Sequence, residues 1–223
     1  MPRKVHPIST RLSNQQLALK NACLNHQIEQ IYKLLDNNPD LNPNFNIFSC
    51  MNITLVHEAC WQGRVEVLHA LLDYDVTASL KQLDSSGHTP LMNTIIGAYS
   101  NNHHRCYQCA ETLLNKTKVN PNQYSLLYNN YFTQEQTHKT AIHLAVEKGY
   151  PDFVDLLIQN GADINTKKII KHDNYQYQAS LLTVAAKIKN HSSTHETIYN
   201  ELVNLGAKEH EYYKNTQSHC LIQ

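Results

Sequence analysis

The sequence predicts an all-α solenoid of about five stacked helix-turn-helix units with extended hairpin or loop fingers, and three observations carry that prediction. Thr54 to Gly63 aligns without a gap on Thr140 to Gly149, and the register persists to Leu71-Leu72 over Leu157-Ile158 at a constant offset of 86 residues. Apolar residues inside each copy recur at helical spacing, as in Ile142, Ala145 and Val146 and then Phe153, Val154, Leu156 and Leu157. Two helices this short cannot bury so much apolar surface alone, so neighbouring units must cover it and the core becomes elongated.

The elements follow in order. A short N-terminal arm, 1–12, precedes a domain over 13–208. Leu19, Ala22, Ile28, Ile31 and Leu34-Leu35 form a divergent first unit near 15–42. Thr54 opens the second, near 54–80, and Thr89-Pro90-Leu91-Met92 the third, near 89–120. Leu91 to Leu114 spans 23 positions where Val56 to Leu72 spans 16, so seven residues are extra. The stretch 97–104 either lengthens the loop between the helices or adds a turn to one of them. Thr140 starts the fourth unit, near 140–165. Ser180 starts the fifth, near 180–208, and residues 209–223 read as a flexible tail.

Local chemistry supports these boundaries. The Thr and Ser hydroxyls suit the N-caps, Pro90 the first helical turn, and Gly161 the left-handed position after a helix. Ala22, Ala59 and Ala145 are small where helices approach closely, and Thr94 departs from that pattern. The connecting fingers are long, 15 residues from Asn165 to Ser180 and 20 from Asn120 to Thr140. Residues 123–128 and Tyr131-Phe132 read as two short strands about an Asn129-Asn130 turn, with a helical turn as the alternative.

The T-P-L-H-like opening, central Gly, paired Leu and Gly-Ala-Asp-x-Asn close are most complete in Thr140 to Asn165 and resemble the ankyrin repeat, over roughly Gln15 to Lys208. The resemblance implies a monomeric module that binds a protein partner through its fingers and the groove of its first helices, without a cofactor. Trp61, the only Trp, falls where the family places variable groove-facing side chains. Trp61, Tyr99, Tyr124, Tyr128, Tyr131 and Phe132 are therefore the predicted partner-binding residues, since Trp and Tyr combine large contact area with a polar tip. The alternative is that the rings pack on the solenoid itself. Asn42 and Asn165 resemble targets of the asparaginyl hydroxylase that modifies ankyrin hairpins, although such residues more commonly hold the hairpin by side-chain hydrogen bonds.

Composition bounds the rest. Nineteen basic and nineteen acidic residues give zero net charge, which supplies no basic surface for nucleic acid. No run approaches the roughly 20 apolar residues of a membrane span, and the N-terminus has no secretory signal pattern. The six Cys are sparsely placed, which fits a reducing cytosol. His103, His104, Cys106 and Cys109 form a weak candidate zinc set, against which Cys106 and Cys109 at i, i+3 read equally as a buried helix face. The pairs His57/Cys60 and Cys23/His26 are candidate bases and nucleophiles, but His143 recurs at the position of His57 without a Cys, so no enzyme is predicted; the rival reading is an enzyme that uses one of these pairs or the Cys/His site of the insertion near His103 to Cys109.

The end Cys220-Leu221-Ile222-Gln223 matches a farnesylation signal at Cys220, with an unmodified tail as the alternative. A single lipid gives only marginal, reversible membrane association. The Asn-, Gln- and Tyr-rich composition with this end also resembles effectors that intracellular bacteria such as Legionella inject into host cytoplasm. An ordinary cytosolic ankyrin protein accounts for the composition equally well.

Overall fold

The computed structural model describes residues 12–48, 50–128, 136–172 and 175–215. Helices come in antiparallel pairs: α1 (Asn14–Leu24) with α2 (Ile28–Asp36), and α3 (Leu55–Trp61) with α4 (Val65–Leu72). A short α5 (Thr77–Lys81) follows. Next are α6 (Pro90–Gly97) with α7 (His103–Lys116), α8 (Ala141–Lys148) with α9 (Pro151–Gln159), and α10 (Leu181–Ile188) with α11 (Ser193–Asn204). First helices stack in the order α1, α3, α6, α8, α10, while α2, α4 and α7 form part of the second row. One core runs the length of the stack, with Leu19, Leu68, Ile95, Leu113, Phe153 and Leu181 fully buried.

The helix starts obey the capping logic of the sequence. Thr89 Oγ1 accepts from the Met92 N–H at 3.2 Å, and Ser180 Oγ from the Thr183 N–H at 3.3 Å. At Thr54 and Thr140 the box is completed by histidine. The Thr54 and Thr140 backbone N–H groups donate to Nδ1 of His57 and His143 at 3.4 and 3.3 Å. The imidazole thus takes the place that Glu or Gln holds in the usual capping box. Ala22, Ala59 and Ala145 are buried at helix contacts, and Thr94 fits there by donating its hydroxyl to Leu91 O at 2.7 Å. The extra residues of the third unit go largely into α7, fourteen residues against eight in α4.

The all-α expectation needs correction: the fold is mostly helical but carries seven strands among the described residues. A small hairpin joins β1 (Asn46–Phe48) and β2 (Ile53–Thr54). The later fingers contribute β3 (Ser125–Tyr128), β4 (Gln136–Lys139), β5 (Lys167–His172) and β6 (Tyr175–Ser180), which with β7 (Glu211–Asn215) form one antiparallel sheet in sequence order. Their arms are four to six residues long, enough for adjacent fingers to satisfy each other's backbone groups, as in Thr137 opposite Ile170. β3 pairs with 136–139 rather than with the expected second strand at Tyr131-Phe132, which lies outside the described residues.

The stretch read as a flexible tail also departs from expectation, because residues 211–215 pair with β6 from Ala179 opposite Glu211 to Tyr175 opposite Asn215. Ser180 and His210 start this pairing, the Ser180 N–H donating to His210 O at 2.8 Å and the His210 N–H to Ser180 Oγ at 3.0 Å. Stacked Tyr175 and Tyr213 rings, 5.8 Å apart, reinforce it.

Candidate functional site

The capping hydroxyls set a register that builds the groove. Seven residues after Thr54, Thr89, Thr140 and Ser180 come Trp61, Ile96, Glu147 and Lys187, each at the C-terminal end of its first helix. Seven positions is close to two helical turns, so the four project at equivalent places along the stack. Trp61 is 41% exposed. Its backbone is held by the next unit, since a Cβ on Gly97 would lie only 2.0 Å from Trp61 O.

Glu147 and Lys187 reach the fingers. Glu147 accepts from Lys139 Nζ of β4 at 2.7 Å and from Lys168 Nζ of β5 at 2.8 Å, all three side chains being largely shielded. Burial alone would raise the Glu147 pKa, but the two ammonium groups outweigh it and hold the carboxyl below its ordinary value. Such charge-assisted hydrogen bonds are worth about 1.5–3 kcal/mol each. Lys187 donates to the Tyr177 hydroxyl at 2.6 Å and to Glu211 Oε1 at 2.5 Å, clamping β6 and β7 against α10. Tyr213 is 63% exposed on the outermost strand, beside Tyr175.

The other predicted residues are dispersed. Tyr99, 55% exposed, lies in the loop between α6 and α7. Tyr124 is exposed at the base of the third finger, its hydroxyl 3.1 Å from Thr166 Oγ1. Tyr128 ends β3, whereas Tyr131, Phe132 and Cys220 lie outside the described residues. Asn42 and Asn165 are both engaged by backbone: Asn42 Oδ1 accepts from the Asn44 N–H at 2.8 Å, and Asn165 Oδ1 from the Lys208 N–H at 3.1 Å. Sequence reasoning passed over Glu147, Lys187, Tyr175, Tyr177 and Tyr213. The seven-residue register that singled out Trp61 also points to Glu147 and Lys187.

The four candidate metal ligands diverge. Cys106 and Cys109 face α3, their thiols 3.7 and 3.9 Å from Cys60 O and Ala59 O. His103 Nε2 instead sits 2.7 Å from Asp152 Oδ2 on α9, its ring edge-on to Tyr150 and Phe153, and His104 is exposed. Among the described residues no three His, Cys, Asp or Glu side chains gather where they could hold a metal. Burial pushes the thiols up, Cys106 to about 11, Cys23 and Cys109 to about 12, and Cys60 well above its ordinary value. His57 Nδ1 lies 2.8 Å from Thr54 Oγ1, so one of its two ring nitrogens is engaged by the cap.

The described residues form a stacked helical ladder with protruding fingers. Residues 78–168 match the family described as ankyrin repeats, three copies. The fold is similar to the crystal structure of EF0377, an ankyrin repeat protein, with a TM-score of 0.62 and 18% identity, covering 86% of this chain and 82% of that one. No curated protein matches the chain. Residues 78–168 thus carry ankyrin repeats by sequence, and the fold over most of the chain is similar to that of a solved ankyrin repeat protein. Ankyrin repeats are protein-interaction modules, and among the described residues no helix is long and apolar enough to cross a membrane.

Proposed function

We propose that the chain is a non-enzymatic adaptor of five stacked units, the first and last serving as caps, which grips a protein partner on its finger-and-groove side. The observation that carries this reading is the exposed Trp61 in line with Ile96, Glu147 and Lys187, a row that meets the fingers through Lys139, Lys168 and Tyr177. A half-buried indole on a rigid ladder costs little conformational entropy to desolvate and can contribute ~2 kcal/mol or more. The salt-bridged fingers are pre-organised, which lowers the ordering cost of binding. The protonated, buried thiols argue against nucleophilic catalysis.

In the fuller form of this reading the chain acts inside a host cell as an effector, with Cys220 farnesylated to bring the partner to a membrane. Its support is the sequence: the C-a-a-X end and the Asn-, Gln- and Tyr-rich composition. Intact mass after expression in a eukaryotic cell tests the lipid, and an unmodified Cys220 leaves a cytosolic scaffold. The binding face is tested by affinity capture from host lysate with Trp61→Ala and Tyr213→Ala. Each substitution is expected to weaken capture of the same partner at least tenfold, and undiminished capture by both removes the assignment.

A further inference from the structure

Successive loops after the second helices are stitched by asparagine. Asn44 donates to Asp75 O at 2.6 Å and accepts from the Ser79 N–H at 2.9 Å, joining the first loop to the second. Asn122 donates to Gly161 O at 2.9 Å and accepts from the Asp163 N–H at 2.8 Å, joining the third to the fourth, and Asn165 continues to Lys208. The junction between the second and third loops lacks this stitch. Residues 63–92 contain no Asn, and α5 occupies the place of the tight loop. The only side-chain hydrogen bond between these two loops among the described residues is Gln123 Nε2 to Lys81 O, at 3.4 Å.

At that junction the structure opens a cleft of about 710 Å³, within the ~300–1,000 Å³ range of ligand pockets. Its floor is apolar, formed by Leu72, Val76, Leu80 and Val119. Its charged lining is Lys81, Lys116 and Lys118, with no carboxylate among the lining residues. The nearby Asp73 and Asp75 are turned to other work, Asp73 accepting from the Tyr32 hydroxyl at 2.7 Å and Asp75 from the Thr77 N–H at 3.1 Å. Lys116 Nζ lies 3.1 Å from His69 Nδ1, whereas among the described residues no hydrogen bond or ion pair of the Lys81 or Lys118 ammonium is found. The cleft lies at the C-terminal ends of α4 and α7, the opposite end of the helix pairs from Trp61.

We propose that this cleft receives an acidic peptide segment of a protein partner, one apolar side chain seated on the Leu72/Leu80 floor and flanking carboxylates paired with Lys81 and Lys118. Charge complementarity selects the acidic flanks, and the apolar floor selects the apolar residue between them. The site is separate from the groove, so it is tested separately.

The experiment is fluorescence polarisation with labelled eight-residue peptides of Asp and Glu carrying a central Leu or Phe. Controls are an all-acidic peptide without the apolar residue, a basic peptide with it, and decyl phosphate as a competing anionic amphiphile. The acidic-apolar peptides are expected to bind at least tenfold tighter than either peptide control, and more weakly as salt rises. Lys81→Glu/Lys118→Glu, exposed positions whose fold is checked by thermal melting, should lose at least tenfold, while Trp61→Ala binds unchanged. The proposal is overturned if no acidic-apolar peptide exceeds its controls, if the charge reversal leaves binding intact, if Trp61→Ala abolishes it, or if decyl phosphate binds where the peptides do not.

Discussion

Gly97→Ala separates helix propensity from tertiary packing, because the two predict opposite signs. Gly97 is the last residue of α6, and in an exposed helix the change would stabilise by up to about 1 kcal/mol, less at a helix end. Here an added Cβ would lie 2.0 Å from Trp61 O and 2.8 Å from Trp61 Cδ1, against comfortable separations of about 3.5–4.0 Å between carbons. The atom met first is backbone, so a rotamer change of Trp61 does not relieve the clash, and α3 and α6 must separate. Overpacking of this kind costs about 1–3 kcal/mol, leaving a net loss of roughly 1–2 kcal/mol. For a chain of this size that lowers Tm by roughly 2–8 °C. Thermal melting followed by far-UV circular dichroism reads the loss, and the emission of Trp61, the only Trp, reports the contact itself. An unchanged or raised Tm with unaltered emission would refute the close-approach argument.

Two further outcomes follow from buried groups. Burial holds the His143 pKa near 3 and lowers that of His57, both below the ordinary 6.5, so below pH 6.5 the unfolded chain takes up protons that the folded chain refuses. Stability is therefore present above pH 6.5 and falls as pH drops toward 3, by up to about 1.4 kcal/mol per pH unit for one histidine. Urea denaturation at pH 7.5 and 5.0 should show His143→Gln, which keeps a capping box without the titration, losing roughly 2 kcal/mol less than wild type over that interval; equal losses would dismiss the assignment. Among the described cysteines, Cys50 is exposed while Cys23, Cys60, Cys106 and Cys109 are buried. Peptide mapping after brief iodoacetamide treatment should find Cys50 alkylated at least a hundredfold faster than these four in the folded protein, and comparable rates would contradict the buried α3–α7 seam.

Much of the ladder was legible because a repeat writes its own packing requirement into the sequence. A capping hydroxyl, an alanine at the helix contact and a paired leucine recur at fixed spacing, and each has one local physical reason. Helix pairing and the buried stripe of Phe153 and Leu157 needed nothing beyond that periodicity. The surroundings of Cys106 and Cys109, by contrast, are visible only in the tertiary structure, where α7 turns both thiols onto α3.

The candidate face divides in the same way. Trp61 was readable from its register, and that register could also have pointed to Glu147 and Lys187, whose partners lie 8 to 24 residues away on the fingers and on β7. What periodicity cannot encode is pairing between fingers: β4 meets β5 and β6 meets β7 because neighbouring backbones at the stack's edge must satisfy one another, whatever side chains they carry. The sequence by itself therefore determined the helical ladder and its exposed indole, through local spacing and capping. Only the tertiary structure decided the five-stranded finger sheet, the clamps of Glu147 and Lys187, and the lysine-lined cleft, since each depends on residues that meet only after the units have stacked.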